Sequence, residues 1–179
     1  DHLCFILILT LIVLRGQSSV PWSRLAWMVT GFTLAHSITL AAATLQLVRV
    51  PAPPVEAVIA LSIIFVAAEL ARDNRHTITF RFPVLTASSF GLLHGFGFAS
   101  GLSTAGMPKA ELPWALLCFN VGVELGQLLF VFTALGLVWA FRTLQVYWPR
   151  WVLWLPGYTV GSLGAYWTIQ RTVMLIRGF

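Results

Sequence analysis

Apolar residues fall into six long runs, separated by short stretches where arginine, proline and glycine collect. The runs cover residues 2–14, 25–47, 55–70, 84–102, 113–141 and 151–176. None alternates apolar and polar positions with a period of two, so none reads as a half-buried strand. Apolar runs of this length read as helices able to cross a bilayer. The connections carry the breakers: Arg15-Gly16-Gln17-Ser18-Ser19, then Arg49 to Pro54, then Arg72-Asp73-Asn74-Arg75-His76. Pro51, Pro53 and Pro54 predict an extended link that no helix continues through. Pro113 suits the first turn of the fifth span. The first run is short: from Asp1 it rises only about 21 Å, against about 30 Å of hydrocarbon, so its helix is expected to begin upstream.

Composition turns this pattern into a class. Hydrophobic residues make up 58% of the 179, and only 9% are charged, against roughly 25% charged in soluble domains. That is too little charge to solvate a globular surface, so the chain is expected to be an all-α integral membrane protein. It would form one domain over residues 1–179, a bundle of six transmembrane helices spanning the cytoplasmic (inner) membrane, with the lipid bilayer as its solvent. The net charge of +5 does not imply nucleic acid, because the basic residues stand singly between apolar runs instead of clustering on one element. They read as topology determinants. Arg15, Arg24, Arg72, Arg75, Arg81, Arg142 and Arg150 fall on one side, and Arg49, Lys109 and Arg177 on the other, with Arg171 near the end of the sixth helix. The positive-inside rule then puts both termini outside the cytoplasm. Trp22, Trp27, Trp114, Trp148, Trp151 and Trp154 sit at the predicted interfaces. Cys4 and Cys118 lie in apolar segments without metal-type spacing and read as buried free thiols.

A few ionisable side chains break the apolar runs, and such residues are costly in lipid unless they face a partner. His94 stands among glycines in Phe90-Gly91-Leu92-Leu93-His94-Gly95-Phe96-Gly97-Phe98-Ala99. Counted by rise, His94, His36 and Glu124 each lie about 15–16 Å into their spans, at one level near the midplane. Asp1, His2 and Asn120 lie nearer the outer surface. Asn120, Glu124 and Gln127 follow an i, i+4, i+7 pattern and share one helix face. Imidazole and carboxylate at one depth suit Ni²⁺, Co²⁺ or Zn²⁺, or a proton relay. Ser37, beside His36, points about 100° away from it and makes no catalytic pair with it. Gly91/Gly95, Gly97/Gly101, Gly122/Gly126 and Gly157/Gly161 have the four-residue spacing that lets helices approach closely. Glu56 is expected to serve the N-terminus of the third helix. Glu69 and Asp73 are expected to pair with Arg72 and Arg75.

Four blocks in order, Asp1-His2-Leu3, Phe32 to Leu40, Phe90 to Ala99 and Phe119 to Gln127, resemble the HupE/UreJ family, and more closely its second branch. The resemblance runs from the first helix through the fifth. It implies a small polytopic protein associated with hydrogenase and urease systems, a nickel or cobalt permease, lying behind an extracytoplasmic N-terminal region. The better-studied branch has a histidine six residues before its Asp-His pair, a position that would precede Asp1. Phe98 and Gly101 stand where that branch has a second histidine and a glutamate.

The functional expectation is therefore a membrane protein that binds and moves a divalent transition metal. Asp1, His2, His36, His94 and Glu124 are the candidate ligands, with Asn120, Gln127 and Ser37 supporting them. Two alternatives use the same residues. One is an intramembrane zinc-dependent hydrolase with Glu124 as general base. The other is a non-catalytic subunit that docks other membrane subunits through its glycine-spaced faces.

Overall fold

A computed structural model describes residues 1–15, 20–72, 76–104, 111–143, 152 and 154–177, the side chains at 100–104 and 142 excepted. Among these residues all regular structure is helical. The helices are α1 (His2–Leu14), α2 (Trp22–Thr44), α3 (Ala52–Arg72), α4 (Ile78–Arg81), α5 (Pro83–Thr104), α6 (Leu112–Thr143) and α7 (Leu155–Arg177). Six correspond to the apolar runs, and the single turn α4 lies in the polar stretch before the fourth run. Among the described residues, α2, α3 and α6 are long and apolar enough to cross a membrane, and α1 is a shorter apolar helix.

Helix ends follow local chemistry, with one correction to the expected link. Pro53 and Pro54 lie inside the first turn of α3 because first-turn amides have no intrahelical acceptor, so proline loses no bond there. At the end of α2 the Leu47 amide donates to the Ala42 carbonyl and the Gln46 amide to the Ala43 carbonyl. This pattern needs a left-handed residue at its second position, and Gln46 supplies it with φ 60°.

The apolar helix α1 is buried around almost its whole circumference, with Phe5, Ile6, Ile8, Leu9 and Ile12 in the core, as expected of a helix with no polar face. The most extensive helix interface joins α2 to α5, and the next joins α3 to α7, with α1 touching both pairs and α6. Glycines account for both pairings. A Cβ at Gly91 would strike the Phe32 backbone, and one at Gly95 would strike Thr39 Oγ1, the His36 carbonyl and the Leu40 amide, so α2 and α5 meet backbone to backbone. Gly157, Gly161 and Gly164 receive Ala67, Ala71, Ile63 and Ile64 of α3. Gly122 and Gly126 depart from expectation: a Cβ on either would meet nothing within 4 Å. The same spacing serves a helix contact on α5 and open space on α6, because spacing sets a face and not what covers it. Gly101 lies where side chains are not described.

Two further expectations change. Cys118 is exposed on α6, while Cys4 is partly buried, and both are free; the outward surface of α6 is itself apolar, with Leu117, Val121, Leu125 and Leu129 exposed. Glu56 is the fifth residue of α3 and turns toward Arg171 instead of the helix end, its Oε2 3.8 Å from the Arg171 Nε. Glu69 is buried and its Oε2 has no partner; Asp73 and Arg75, with Lys109, Trp148, Arg150 and Trp151, lie outside the described residues. Trp22, Trp27, Trp114 and Trp154 are all exposed.

Candidate metal centre

Three imidazoles from three helices meet beside the α2–α5 contact. His2 opens α1, and its ring centroid lies 4.9 Å from that of His36 on α2 and 5.0 Å from that of His94 on α5. The ring planes are steeply inclined, at 75° and 69°. His36 and His94 are completely buried. Phe5 and Phe32 wall the cluster, each with its centroid 5.3 Å from that of His94, and Phe119 stacks on His36 at 6.4 Å.

Hydrogen bonds orient two of the rings. The Nδ1 of His94 donates to the Phe90 carbonyl one turn earlier, at 2.8 Å. Asn120 donates its amide to the Leu116 carbonyl at 2.8 Å, which turns its oxygen to the His36 Nδ1 at 3.3 Å. In both imidazoles the proton therefore sits on Nδ1 and the Nε2 carries a bare lone pair. The Nε2 atoms of His2, His36 and His94 are all buried without a partner. Unsatisfied buried nitrogen is costly, and here three neighbouring rings each carry one. Metal-binding histidines characteristically hand their other ring nitrogen to a carbonyl or a carboxylate, fixing tautomer and orientation. Among the described residues no three His, Cys, Asp or Glu side chains already stand in a metal-holding arrangement, so the rings are neighbours and not a preformed chelate.

The other candidate residues lie around this cluster. The Asp1 carboxylate, next to His2 in sequence, accepts from the Nη2 of Arg171 at 2.7 Å. Arg171 also donates to the Glu56 carbonyl at 3.0 Å, so one guanidinium ties the starts of α1 and α3 to the last turns of α7. Glu124 accepts from Thr30 Oγ1 at 2.7 Å, and the single Thr33 hydroxyl proton is shared between the Gln127 Oε1 and the Val29 carbonyl, each 3.2 Å from its oxygen. Ser37 donates to the Thr33 carbonyl at 2.6 Å, turned back along its own helix. The structure thus groups His2, His36 and His94 with Asn120 and sets Asp1, Glu124 and Gln127 on separate partners. Counting depth from the start of α6 puts Glu124 level with the imidazoles. The helix runs 32 residues, about 48 Å and longer than a bilayer is thick, so its start is no gauge of depth.

A match to the model of the family described as HupE / UreJ protein covers residues 1–171. The chain belongs to the HupE/UreJ family. No curated protein and no solved structure matches it. All three clustered histidines of this HupE/UreJ protein fall within the matched residues. Sequence reasoning missed Arg171 as the partner of Asp1, and Thr30 and Thr33 as partners of the α6 face. Thr30, Thr33 and His36 recur every third residue and so share one side of α2, which was the available signal for the threonines; for Arg171, 170 positions from Asp1, there was none.

Proposed function

We propose that this HupE/UreJ protein spans the cytoplasmic membrane six times, with both termini outside, and moves a divalent transition-metal ion of the nickel or cobalt kind through the histidine cluster. The observation that carries the reading is the meeting of three imidazole rings whose buried Nε2 atoms have no partners, two of them in the tautomer a metal requires. Three imidazoles make a nitrogen-rich, borderline-soft donor set that suits Ni²⁺, Co²⁺ and Zn²⁺ over Mg²⁺ or Ca²⁺. The association of the family with nickel and cobalt transport supports the same ion class. A transported ion has to leave again, and a cluster of neighbouring rings that is not a closed chelate suits passage better than permanent retention.

The experiment is metal binding and flux on the purified full chain. Co²⁺ should bind with the ligand-field absorption of nitrogen coordination, and labelled Ni²⁺ or Co²⁺ should cross proteoliposome membranes. The double variant His36→Ala/His94→Ala should lose both while keeping its helical circular dichroism. Unchanged metal content in that variant would reject the histidine cluster as the site.

A further inference from the structure

The polar contacts do not end at the imidazoles. Along the seam between α2 and α6, His36 pairs with Asn120, Thr33 with Gln127 and Thr30 with Glu124. The α2 members stand three residues apart, so the ladder leads about 9 Å from His36 toward the end at which α2 begins. That is the direction away from Thr44, where α2 ends. The α2–α6 contact is far less extensive than α2–α5, and the seam it leaves is lined on the α6 side by the polar face of Asn120, Glu124 and Gln127, while Gly122 and Gly126 stand on the opposite, exposed side of the helix.

Two groups mark the far part of the ladder, one with an unsatisfied nitrogen and one a carboxylate without a counter-ion. Gln127 is 2% exposed, and its Nε2 has no partner. Glu124 is bonded to Thr30, and among the described residues no cationic side chain pairs with it. A carboxylate within a membrane-spanning interface and without a counter-ion has the chemistry of a cation station.

We propose that Glu124, with the Thr30 and Thr33 hydroxyls and the Gln127 carboxamide oxygen, forms a second, weaker station for the same divalent ion, on a path that runs along the α2–α6 seam. The proposal rests on the histidine cluster as the first station. The donors change from imidazole nitrogen to oxygen, which lowers the preference for nickel-type ions and favours onward release. Asn120 stands between the two stations, orienting the His36 ring with its oxygen.

Co²⁺ titration of the purified full chain, with flux into proteoliposomes, tests the idea. The wild type should bind one Co²⁺ tightly with a nitrogen-type spectrum and a second more weakly. Glu124→Gln should keep the tight ion and its spectrum, weaken the second by at least about tenfold and slow flux correspondingly. Thr30→Val, which leaves the carboxylate in place, should weaken the second ion by a smaller factor. Full flux and both ions retained in Glu124→Gln would overturn the second station. So would loss of the tight ion and its spectrum in that variant with the fold intact, since Glu124 would then belong to the histidine cluster. If Glu124→Gln fails to fold, an unchanged second ion and flux in Thr30→Val would overturn it equally. A wild type that binds no Co²⁺ rejects the histidine cluster itself and the second station with it.

Discussion

Replacing Gly95 by alanine tests whether the close approach of α2 and α5 builds the centre. The added Cβ would press on Thr39 Oγ1, on the His36 carbonyl and on the Leu40 amide nitrogen, the last at 2.9 Å. Ordinary contact needs about 3.5 Å, so α2 must retreat by at least about half an ångström, and two of the three obstacles are backbone that cannot rotate aside. Overpacking of this kind costs about 1–3 kcal/mol, and three-sided contact argues for the upper end. Alanine recovers about 1 kcal/mol of helix propensity, leaving a net loss of about 2 kcal/mol. Gly126→Ala is the matched control: with nothing within 4 Å it keeps only the propensity gain and should be neutral or slightly stabilising. The assay is the denaturation midpoint of detergent-purified protein, with Co²⁺ affinity measured alongside. Because Gly95 abuts the His36 carbonyl, the retreat should also part His36 from His94 and weaken Co²⁺ binding. Equal stability and equal affinity for Gly95→Ala and Gly126→Ala would refute the reasoning.

Three further outcomes follow from particular contacts. Asn120→Leu removes the acceptor that orients His36 and should lower Co²⁺ affinity about 10- to 100-fold, while Asn120→Asp, which keeps an acceptor there, should retain more of it; equal loss in both would argue against an orienting role. Gln46→Gly relieves a left-handed residue at the end of α2 and should raise stability by about 1 kcal/mol, read as a higher denaturation midpoint with unchanged metal binding. Arg171→Gln breaks the pairing with Asp1 and the link to the Glu56 carbonyl and should loosen α7 from α1 and α3, read as faster proteolysis near the start of α1, whereas Arg171→Lys should restore part of the protection.

The local features were legible because they depend on neighbours in sequence. Apolar runs bounded by arginine, proline and glycine located six of the seven helices among the described residues. The turn α4 was hidden because four residues in a polar stretch carry no periodicity. The i, i+4, i+7 face of Asn120, Glu124 and Gln127 was also readable, because helical periodicity groups residues onto one face. Helix rise put His36 and His94 at one level in their helices, and the fold brings both against His2. Glu124 was harder to place, because its helix is longer than the membrane is thick and counting from its end misleads.

By itself, then, the sequence determined that this is an apolar helical protein, where its helices run and which few residues could carry chemistry. Only the tertiary structure decided which of those residues meet. Asp1 went to Arg171 and Glu124 to Thr30, leaving His2, His36 and His94 as the cluster with bare nitrogens. It also decided that Gly91 and Gly95 are contacts while Gly122 and Gly126, with the same spacing, face open space. The reason is physical: periodicity fixes the side of a helix on which a group stands, while its partner is fixed by shape. In lipid, where apolar surfaces gain little by meeting each other, close packing and polar pairing choose the neighbour.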